Sequence, residues 1–178
     1  MIVVITGPIA SGKSTVALEL AQQLKEVGVR SAVIDLDVVH DELVAGGSDA
    51  NDGSWTEARR RTASLANGMS RDGVAVVIAE GSYNLPSDRE AFISAREGQG
   101  PPLFVTLQVS FEEALRRAQT DPTRGRSRDP AFLRPYFDGR QDVLASTPPT
   151  DVSIDTERMT VADAAETIGR RLLSMVGR

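Results

Sequence analysis

The residues with the clearest chemistry lie near the start of the chain, where an apolar run leads directly into a glycine-rich loop. The run 2–6 precedes Gly-Pro-Ile-Ala-Ser-Gly-Lys-Ser-Thr, which fits the pattern G-x-x-x-x-G-K-[ST]. In this pattern backbone N–H groups surround nucleotide phosphates, the lysine reaches the β- and γ-phosphates, and the serine hydroxyl holds Mg²⁺. A helix after the loop adds the positive end of its dipole. We predict that the nucleotide is bound by Gly7, Pro8, Ile9, Ala10, Ser11, Gly12, Lys13, Ser14 and Thr15.

Three carboxylates follow strand-like runs further along the chain. Asp35 and Asp37 end the second run, and Glu80 with Gly81 follows a wholly apolar one. A phosphoryl acceptor needs a carboxylate to take its proton, and carboxylates also help to hold Mg²⁺. Side chains two residues apart in an extended segment share a face, so Asp35 and Asp37 should point together toward the loop. We predict Asp37 as general base and Ser14, Asp35 and Glu80 at the metal. Alternatively, the aspartates only cap a helix beginning at 38, and the glutamate is a solvated strand-end acid.

Arginines are concentrated late in the chain, whereas lysine occurs only at 13 and 25. Residues 114–134 carry six arginines against two aspartates, with proline and glycine in a turn-like stretch at about 120–130. Cations on a mobile lid stabilise the charge of a phosphoryl group in transfer. We predict that 120–130 is such a lid, with Arg124 and Arg128 joining Lys13 as catalytic cations and Arg117 contacting the nucleotide. Two solvated faces would explain the same charge pattern.

The acceptor region is predicted at about 38–72 and 81–96. Residues 35–52 carry six acids and neither lysine nor arginine. A histidine on a short helix is commonly a packing residue, and a tryptophan on a helical stripe is commonly a core anchor, so both also have structural interpretations. The candidate acceptor-binding residues are Asp37, His40, Trp55, Arg59, Glu80, Gly81 and Tyr83.

Composition excludes several other classes of site. The 178 residues fit a single domain, 1–178, and the absence of cysteine excludes disulfides and thiolate metal sites. A single histidine excludes multi-histidine metal sites. The net charge of −5 disfavours nucleic-acid binding. With neither a leader-like segment nor a membrane-length apolar run, we expect a cytoplasmic protein without membrane partners, as a monomer or a homodimer.

Periodicity predicts alternating strands and helices. Strands are predicted at 2–6, 31–36, 74–79, 103–109 and 152–155. Helices are predicted at 13–27, 38–45, from Ser54 with a capping box to Glu57, at 88–96, 111–119, 130 to about 145, and from Thr160. This alternation predicts an α/β fold with a doubly wound parallel sheet and ligands at the carboxyl ends of its strands.

Taken together and in order, these motifs resemble the small-molecule kinases of the P-loop superfamily. The similarity is strongest to the chloramphenicol phosphotransferase-like group, which is related to shikimate, gluconate and adenylylsulfate kinases. It rests on the loop 7–15, the D-x-D of 35–37, Glu80-Gly81, the block Val-Thr-Leu-Gln-Val-Ser-Phe-Glu-Glu-Ala-Leu-Arg-Arg, and Asp-Pro-Thr-Arg-Gly-Arg-Ser-Arg-Asp-Pro. The resemblance implies a three-layer P-loop NTPase fold with five parallel strands in the order 2-3-1-4-5, ATP with Mg²⁺, an aspartate base and an arginine lid.

The function that this implies is ATP-dependent phosphorylation of a hydroxyl on a small molecule. An antibiotic, a sugar, a nucleoside or another metabolite all remain possible acceptors. Two alternatives stay open: a nucleotide-dependent NTPase or switch without a small-molecule acceptor, and a kinase similar to the zeta toxins.

Overall fold

A five-stranded, all-parallel sheet organises the computed structural model, which describes residues 1–98, 100–138 and 150–176. The strands are β1 Ile2–Thr6, β2 Ser31–Asp35, β3 Val76–Gly81, β4 Leu103–Gln108 and β5 Val152–Asp155. The helices are α1 Lys13–Glu26, α2 Leu36–Ala45, α3 Asp52–Arg71, α4 Pro86–Ser94, α5 Phe111–Thr120, α6 Pro130–Leu133, α7 Pro135–Asp138 and α8 Val161–Val176, with a 3-10 helix at Arg126–Arg128.

The strand order is β2-β3-β1-β4-β5, as the resemblance implied. Because all the strands are parallel, their carboxyl ends meet along one edge of the sheet. There Glu80 lies in register with Ile5 of β1 on one side and with Asp35 of β2 on the other. The register therefore brings two of the predicted site carboxylates to adjacent strand ends.

The core has a layer on each face of the sheet. On one face Val3 and Ile5 pack with residues of α1 and α8, including the fully buried Leu20 and Ile168. On the other face β1 and β3 pack against α2, α3 and α4. Burying a side chain such as Leu20 contributes on the order of 1.5–3 kcal/mol, so the two layers hold the central strands firmly. This explains why all five residues of β1 are buried.

Two predicted boundaries near the site were wrong. The third strand begins at Val76, because the N–H of Val74 donates to the carbonyl of Met69 and so closes the end of α3. As a result Glu80 lies within β3 and not after it. The helix predicted from Ser54 begins earlier, because Asn51 caps it and accepts hydrogen bonds from the N–H groups of Gly53 and Ser54.

The second strand also ends earlier than predicted. Asp35 is the N-cap of α2 and accepts a hydrogen bond from the N–H of Asp37 at 2.8 Å, so Asp37 lies in the first turn of the helix. The shared face of an extended segment was therefore the wrong reason to expect these two carboxylates together. Helical capping brings them together instead.

The helix predicted from 130 to about 145 is interrupted where it is described. Two one-turn helices, α6 and α7, are separated at Arg134, and the remainder of the prediction lies outside the described residues. Within the described part of the chain, every helix is too short or too polar to cross a membrane.

Candidate active site

The predicted phosphate loop connects β1 to α1 at the carboxyl edge of the sheet. Lys13 folds back over the loop, and its ammonium group donates to the carbonyls of Gly7 and Pro8 at 3.2 Å each. Gly7 has φ +156°, and a Cβ there would lie 2.7 Å from the carbonyl oxygen of Leu107, so only glycine fits. The loop thus forms a tight arch with the lysine held across it.

Ala10 adopts a left-handed conformation, with φ +61°, although it is not glycine. That conformation costs an L-residue roughly 1–2 kcal/mol. Ala10 is buried, and its carbonyl oxygen lies 3.5 Å from Arg117 Nη1. The sequence motif does not predict this strained conformation, which is seen in the backbone of the folded loop.

The start of α1 has no side-chain cap. Its N-cap is Gly12, with φ +90°, no side chain accepts a hydrogen bond from the first turn, and that turn contains no acidic residue. Helix N-terminal N–H groups need acceptors, and an anion satisfies them together with the helix dipole. The local geometry therefore suits a phosphate at the position that the motif predicts.

Lys13 shares its surroundings with Asp37 and Glu80. Burial lowers the pKa of Lys13, while the Glu80 and Asp37 carboxylates oppose that effect. Partial burial, followed by the nearby Asp35, raises the pKa of Asp37. Burial likewise raises the pKa of Glu80, although a hydrogen bond from the Ser14 side chain opposes the shift. One lysine therefore faces several acids, and this negative charge favours a bound cation.

The side-chain oxygen atoms beside the phosphate loop suit Mg²⁺ as part of its set of ligands. The described residues contain no group of three or more His, Cys, Asp or Glu placed to hold a metal by themselves. Magnesium usually binds through one or two carboxylates, several waters and substrate phosphates, so a complete protein cage is unnecessary. The exposed Ser14 hydroxyl and the Glu80 carboxylate next to it supply oxygen donors of the required kind, with Asp35 on the adjacent strand end.

Two arginines of the predicted lid line one open pocket of about 650 Å³ beside α5. Arg124 pairs with Asp121 at 3.3 Å, and its positive charge lowers the pKa of Lys13, which shows that it lies near the loop. Arg128 is directed toward α5, where Nη2 lies 3.5 Å from the Gln119 carbonyl. In this arrangement Arg124 acts electrostatically on Lys13, and Arg128 contacts α5.

Arg117 links three parts of the nucleotide side. Its Nε donates to Glu113 at 2.7 Å, and its Nη atoms donate to the hydroxyl and carbonyl of Thr156 at 2.9 and 2.7 Å. Nη1 also lies 3.5 Å from the carbonyl of Ala10 in the loop. The guanidinium therefore holds α5, the phosphate loop and the turn after β5 in one arrangement.

His40 of α2 and Trp55 of α3 form a stacked pair. Their ring centroids are 3.7 Å apart with an interplanar angle of 3°, and His40 Nε2 lies 2.9 Å from the Ser54 hydroxyl. His40 is buried and Trp55 is half-buried. The pair brings α2 and α3 together, which agrees with the packing interpretation of both residues.

The segment 82–85, which follows β3, is held by polar side chains from three elements. Tyr83 N–H donates to the Thr6 hydroxyl at 2.9 Å, and that hydroxyl donates to Asn84 Oδ1. Arg59 Nε donates to the Ser82 carbonyl at 3.0 Å, and Arg59 Nη2 lies 3.1 Å from Asp88 Oδ1. In the sequence, the position of Thr6 at the end of a buried strand is the one feature that points to this network.

Three predicted acceptor-binding residues are therefore occupied by protein contacts. Arg59 is buried in its pair with Asp88. Tyr83 is fully buried, with its ring edge-on to Phe92 at 5.5 Å. A Cβ on Gly81 would lie 2.5 Å from Leu36 Cβ, so the backbone at this glycine is in close contact with α2. Among the predicted acceptor-binding residues, Asp37 is exposed to solvent, whereas Glu80 is buried.

Comparisons with known proteins agree with this fold. The family model for adenylylsulphate kinase matches residues 1–121. A probable adenylyl-sulfate kinase of Pyrococcus abyssi is 26% identical over 94% of this chain and 91% of its own length. An APS kinase structure from Mycobacterium tuberculosis, in complex with AMPPNP and APS, has a TM-score of 0.66 at 19% identity and covers 96% of both chains. A shikimate kinase from Acinetobacter baumannii in complex with shikimate has a TM-score of 0.60 at 20% identity, covering 97% of this chain and 93% of that one.

The structural relatives show the fold, and the family model covers more than half of the chain, including the loop, the three carboxylates and Arg117. The resemblance to P-loop small-molecule kinases is thereby confirmed. The chain belongs to the adenylylsulphate kinase family and is a nucleotide-dependent small-molecule kinase.

Proposed function

We propose that this protein transfers the γ-phosphate of ATP, in the presence of Mg²⁺, to a hydroxyl group of a small molecule. The observation that carries the proposal is the position of Asp37. It is an exposed carboxylate on the first turn of α2, close enough to Lys13 for the two charges to affect each other. A proton acceptor beside the phosphate-binding lysine is what transfer to a hydroxyl requires.

In this proposal Asp37 accepts the proton of the acceptor hydroxyl. Burial and the nearby Asp35 raise its pKa, which makes it a better base than an ordinary carboxylate. Lys13 binds the phosphates and stabilises the transferred group, together with Arg124 and Arg128 from the lid. Arg124 reaches this position by exchanging its exposed partner Asp121 for phosphate oxygens.

In this proposal a bound Mg²⁺ would supply positive charge to offset the negative charge of the phosphates. Ser14, Glu80 and, through water, Asp35 would hold it. Their oxygen atoms and the excess negative charge around Lys13 support this assignment. The nucleotide itself would lie along the loop 7–15, with Arg117 at the nucleotide side.

The test measures ATP consumption by the purified protein with Mg²⁺, with and without a panel of hydroxyl compounds, and identifies products by mass spectrometry. The panel includes APS, sugars, amino sugars, nucleosides and antibiotics. Phosphorylation of one compound, lost at least 100-fold in Asp37→Asn with ATP affinity retained, is the expected result. Asp49→Asn is the matched control, because it removes an exposed acid from the loop after α2.

One result would refute the proposal. If ATP hydrolysis needs no acceptor and Asp37→Asn leaves it unchanged, the protein is an NTPase and Asp37 is not a base. Growth arrest on expression, accompanied by phosphorylation of a nucleotide sugar, would instead favour the toxin-like kinase.

A further inference from the structure

The strand order determines on which side of the phosphate loop the nucleoside part of the nucleotide lies. The loop follows the central strand β1, whereas Asp37 follows β2 and Glu80 belongs to β3, on one side of it. Transfer to a hydroxyl beside Asp37 requires the γ-phosphate to point toward β2, so the nucleoside extends toward β4 and β5. We propose that Glu113 is a positioning residue for the nucleoside, and that it acts by holding Arg117. The inference rests on the proposed function, because Asp37 as base gives the bound nucleotide its direction.

Arg117 lies where α5, the phosphate loop and the turn after β5 meet. Its Nη1 donates to the Thr156 hydroxyl at 2.9 Å and lies 3.5 Å from the Ala10 carbonyl oxygen, and its Nη2 donates to the Thr156 carbonyl at 2.7 Å. Thr156 directly follows β5, and its N–H and hydroxyl donate to the Gln108 carbonyl at the end of β4. The guanidinium therefore lies at the ligand-binding edge of the sheet, on the side to which the nucleoside extends.

The contacts of Arg117 determine which part of a nucleotide it suits. Its Nε donates to Glu113 Oε1 at 2.7 Å, in addition to the contacts of Nη1 and Nη2. Guanidinium N–H bonds lie in the plane of the group, so these contacts occupy its edge. The edge is the part that grips phosphate oxygens, whereas the face stacks on rings. With its edge already used by protein acceptors and its side chain still 26% exposed, Arg117 suits the nucleoside and not the phosphates.

Glu113 holds this arrangement from the first turn of α5. The side chains of Glu113 and Arg117 are only 21% and 26% exposed, so their ion pair is mostly covered by protein. The Glu113 N–H donates to the hydroxyl of Ser110, the N-cap of α5. The Ser110 N–H in turn donates to a Glu157 carboxylate oxygen at 2.6 Å, which ties the start of α5 to the turn after β5. The Glu113 carboxylate therefore holds the Arg117 guanidinium from a firmly placed part of the backbone.

A second arginine on the same carboxylate provides a matched control. Arg116 donates from Nε and Nη2 to the two oxygen atoms of Glu113 at 2.6 Å each, but its side chain is 63% exposed. Arg116→Gln removes a cation from Glu113 and leaves the contacts of Arg117 in place. It therefore reports what a change of charge beside Glu113 does to binding when Arg117 is not disturbed.

The experiment compares two probes by isothermal titration calorimetry, ADP and inorganic pyrophosphate, each with Mg²⁺. They share the phosphates and differ in the nucleoside, and neither has a γ-phosphate to transfer. In Glu113→Ala we expect the Kd for ADP to rise about fivefold or more, and the Kd for pyrophosphate to stay within about twofold. Glu113→Gln keeps an acceptor oxygen for Arg117 and should lose less, and Arg116→Gln should leave both Kd values within about twofold.

A double-mutant cycle tests whether Glu113 acts through Arg117. Arg117→Ala should also weaken ADP binding, and adding Glu113→Ala to it should change the Kd by no more than about twofold. A merely structural role of Glu113 would instead give losses that add, and would weaken ADP and pyrophosphate alike. Thermal melting identifies any variant that does not fold, and Glu113→Gln then takes its place in the comparison.

The results separate this inference from the kinase proposal. Unchanged ADP binding in Glu113→Ala, equal losses for the two probes, an equal loss of ADP binding in Arg116→Gln, or additive losses in the cycle would overturn the role of Glu113. A phosphorylated compound in the acceptor panel would still support the kinase. Conversely, the expected ADP results with no product anywhere in the panel would support Glu113 and count against the kinase. A wild-type protein that binds neither probe would refute both.

Discussion

The buried pair of Arg59 and Asp88 provides the most direct test of how the acceptor side is held. The side chains of the two residues are only 9% and 11% exposed, and Nη2 of the arginine lies 3.1 Å from Oδ1 of the aspartate. The other carboxylate oxygen accepts the Leu85 N–H at 2.9 Å, and Arg59 Nε holds the Ser82 carbonyl. Replacing Asp88 therefore leaves a buried cation without its partner and loosens the segment after β3.

The size of the effect follows from that geometry. Removing one partner of a buried pair costs roughly 3–5 kcal/mol. Asp88→Asn keeps an oxygen for the Leu85 N–H, so we expect about 3 kcal/mol, whereas Asp88→Ala should cost about 5 kcal/mol. In a protein of this size each kcal/mol lowers Tm by roughly 2–4 °C, so Asp88→Asn should lower it by roughly 6–12 °C. The double change Arg59→Met with Asp88→Leu should recover part of the loss, because no buried charge remains, although the Leu85 N–H and the Ser82 carbonyl lose these partners.

The assay is urea unfolding and thermal melting of the purified variants. Glu97→Gln is the control, because Glu97 pairs with Arg71 at 2.9 Å while both side chains are 68% exposed. Such a surface pair is worth at most about 1 kcal/mol. The reasoning is refuted if Asp88→Asn costs no more than the control, or if the double variant is as unstable as the single one.

Three further predictions concern the phosphate loop and the carboxylates. Burial and the nearby Asp35 raise the pKa of Asp37, so the acid limb of the kcat/KM pH profile should lie above the ordinary aspartate range. If Asp37→Asn shows the same acid limb, Asp37 is not the base. Glu80 also has a raised pKa in the folded protein. The protonated side chain therefore contributes to stability at low pH, and this stability is lost as the pH rises through the pKa of the folded protein. Glu80→Gln should therefore raise the free energy of unfolding at pH 8 and leave it unchanged near pH 4, as measured by urea unfolding. A lower free energy of unfolding for this variant at pH 8 would contradict the explanation. Ala10→Gly should leave the free energy of unfolding within about 1 kcal/mol, because relief of the left-handed strain offsets the added freedom of the unfolded chain. Ala17→Gly, inside α1, should cost about 1 kcal/mol or more in the same measurement.

The nucleotide side was predictable from the sequence because its chemistry is local. The phosphate loop uses backbone N–H groups, one lysine and one serine in a fixed order, so a short pattern identifies it. The parallel sheet was predictable for a similar reason, since buried strands read as apolar runs between helical stripes. The strand order then followed from the family resemblance and was confirmed.

The acceptor side was less predictable because distant residues decide its structure. Asn51 and Ser54 are both good helix caps in sequence. The folded chain uses Asn51 as the cap, while the Ser54 hydroxyl lies 2.9 Å from His40 Nε2. The pairing of Arg59 with Asp88 joins α3 to α4 and has no local pattern. A single sequence offers several partners for each such charge, and only tertiary packing selects one.

The two sides of the site also differ in how firmly they are held, and the difference matches what phosphoryl transfer requires. The segment 82–85 is held by a buried ion pair and by the Thr6 hydroxyl. In contrast, Arg124 pairs with Asp121 while their side chains are 35% and 41% exposed, a contact worth little in water. A weakly held arginine can exchange a surface aspartate for phosphate at small cost, whereas a displaced acceptor wall would misplace the hydroxyl. In the proposed mechanism, a rigid acceptor side would keep the attacking oxygen aligned, while the arginine segment would be free to close over the nucleotide.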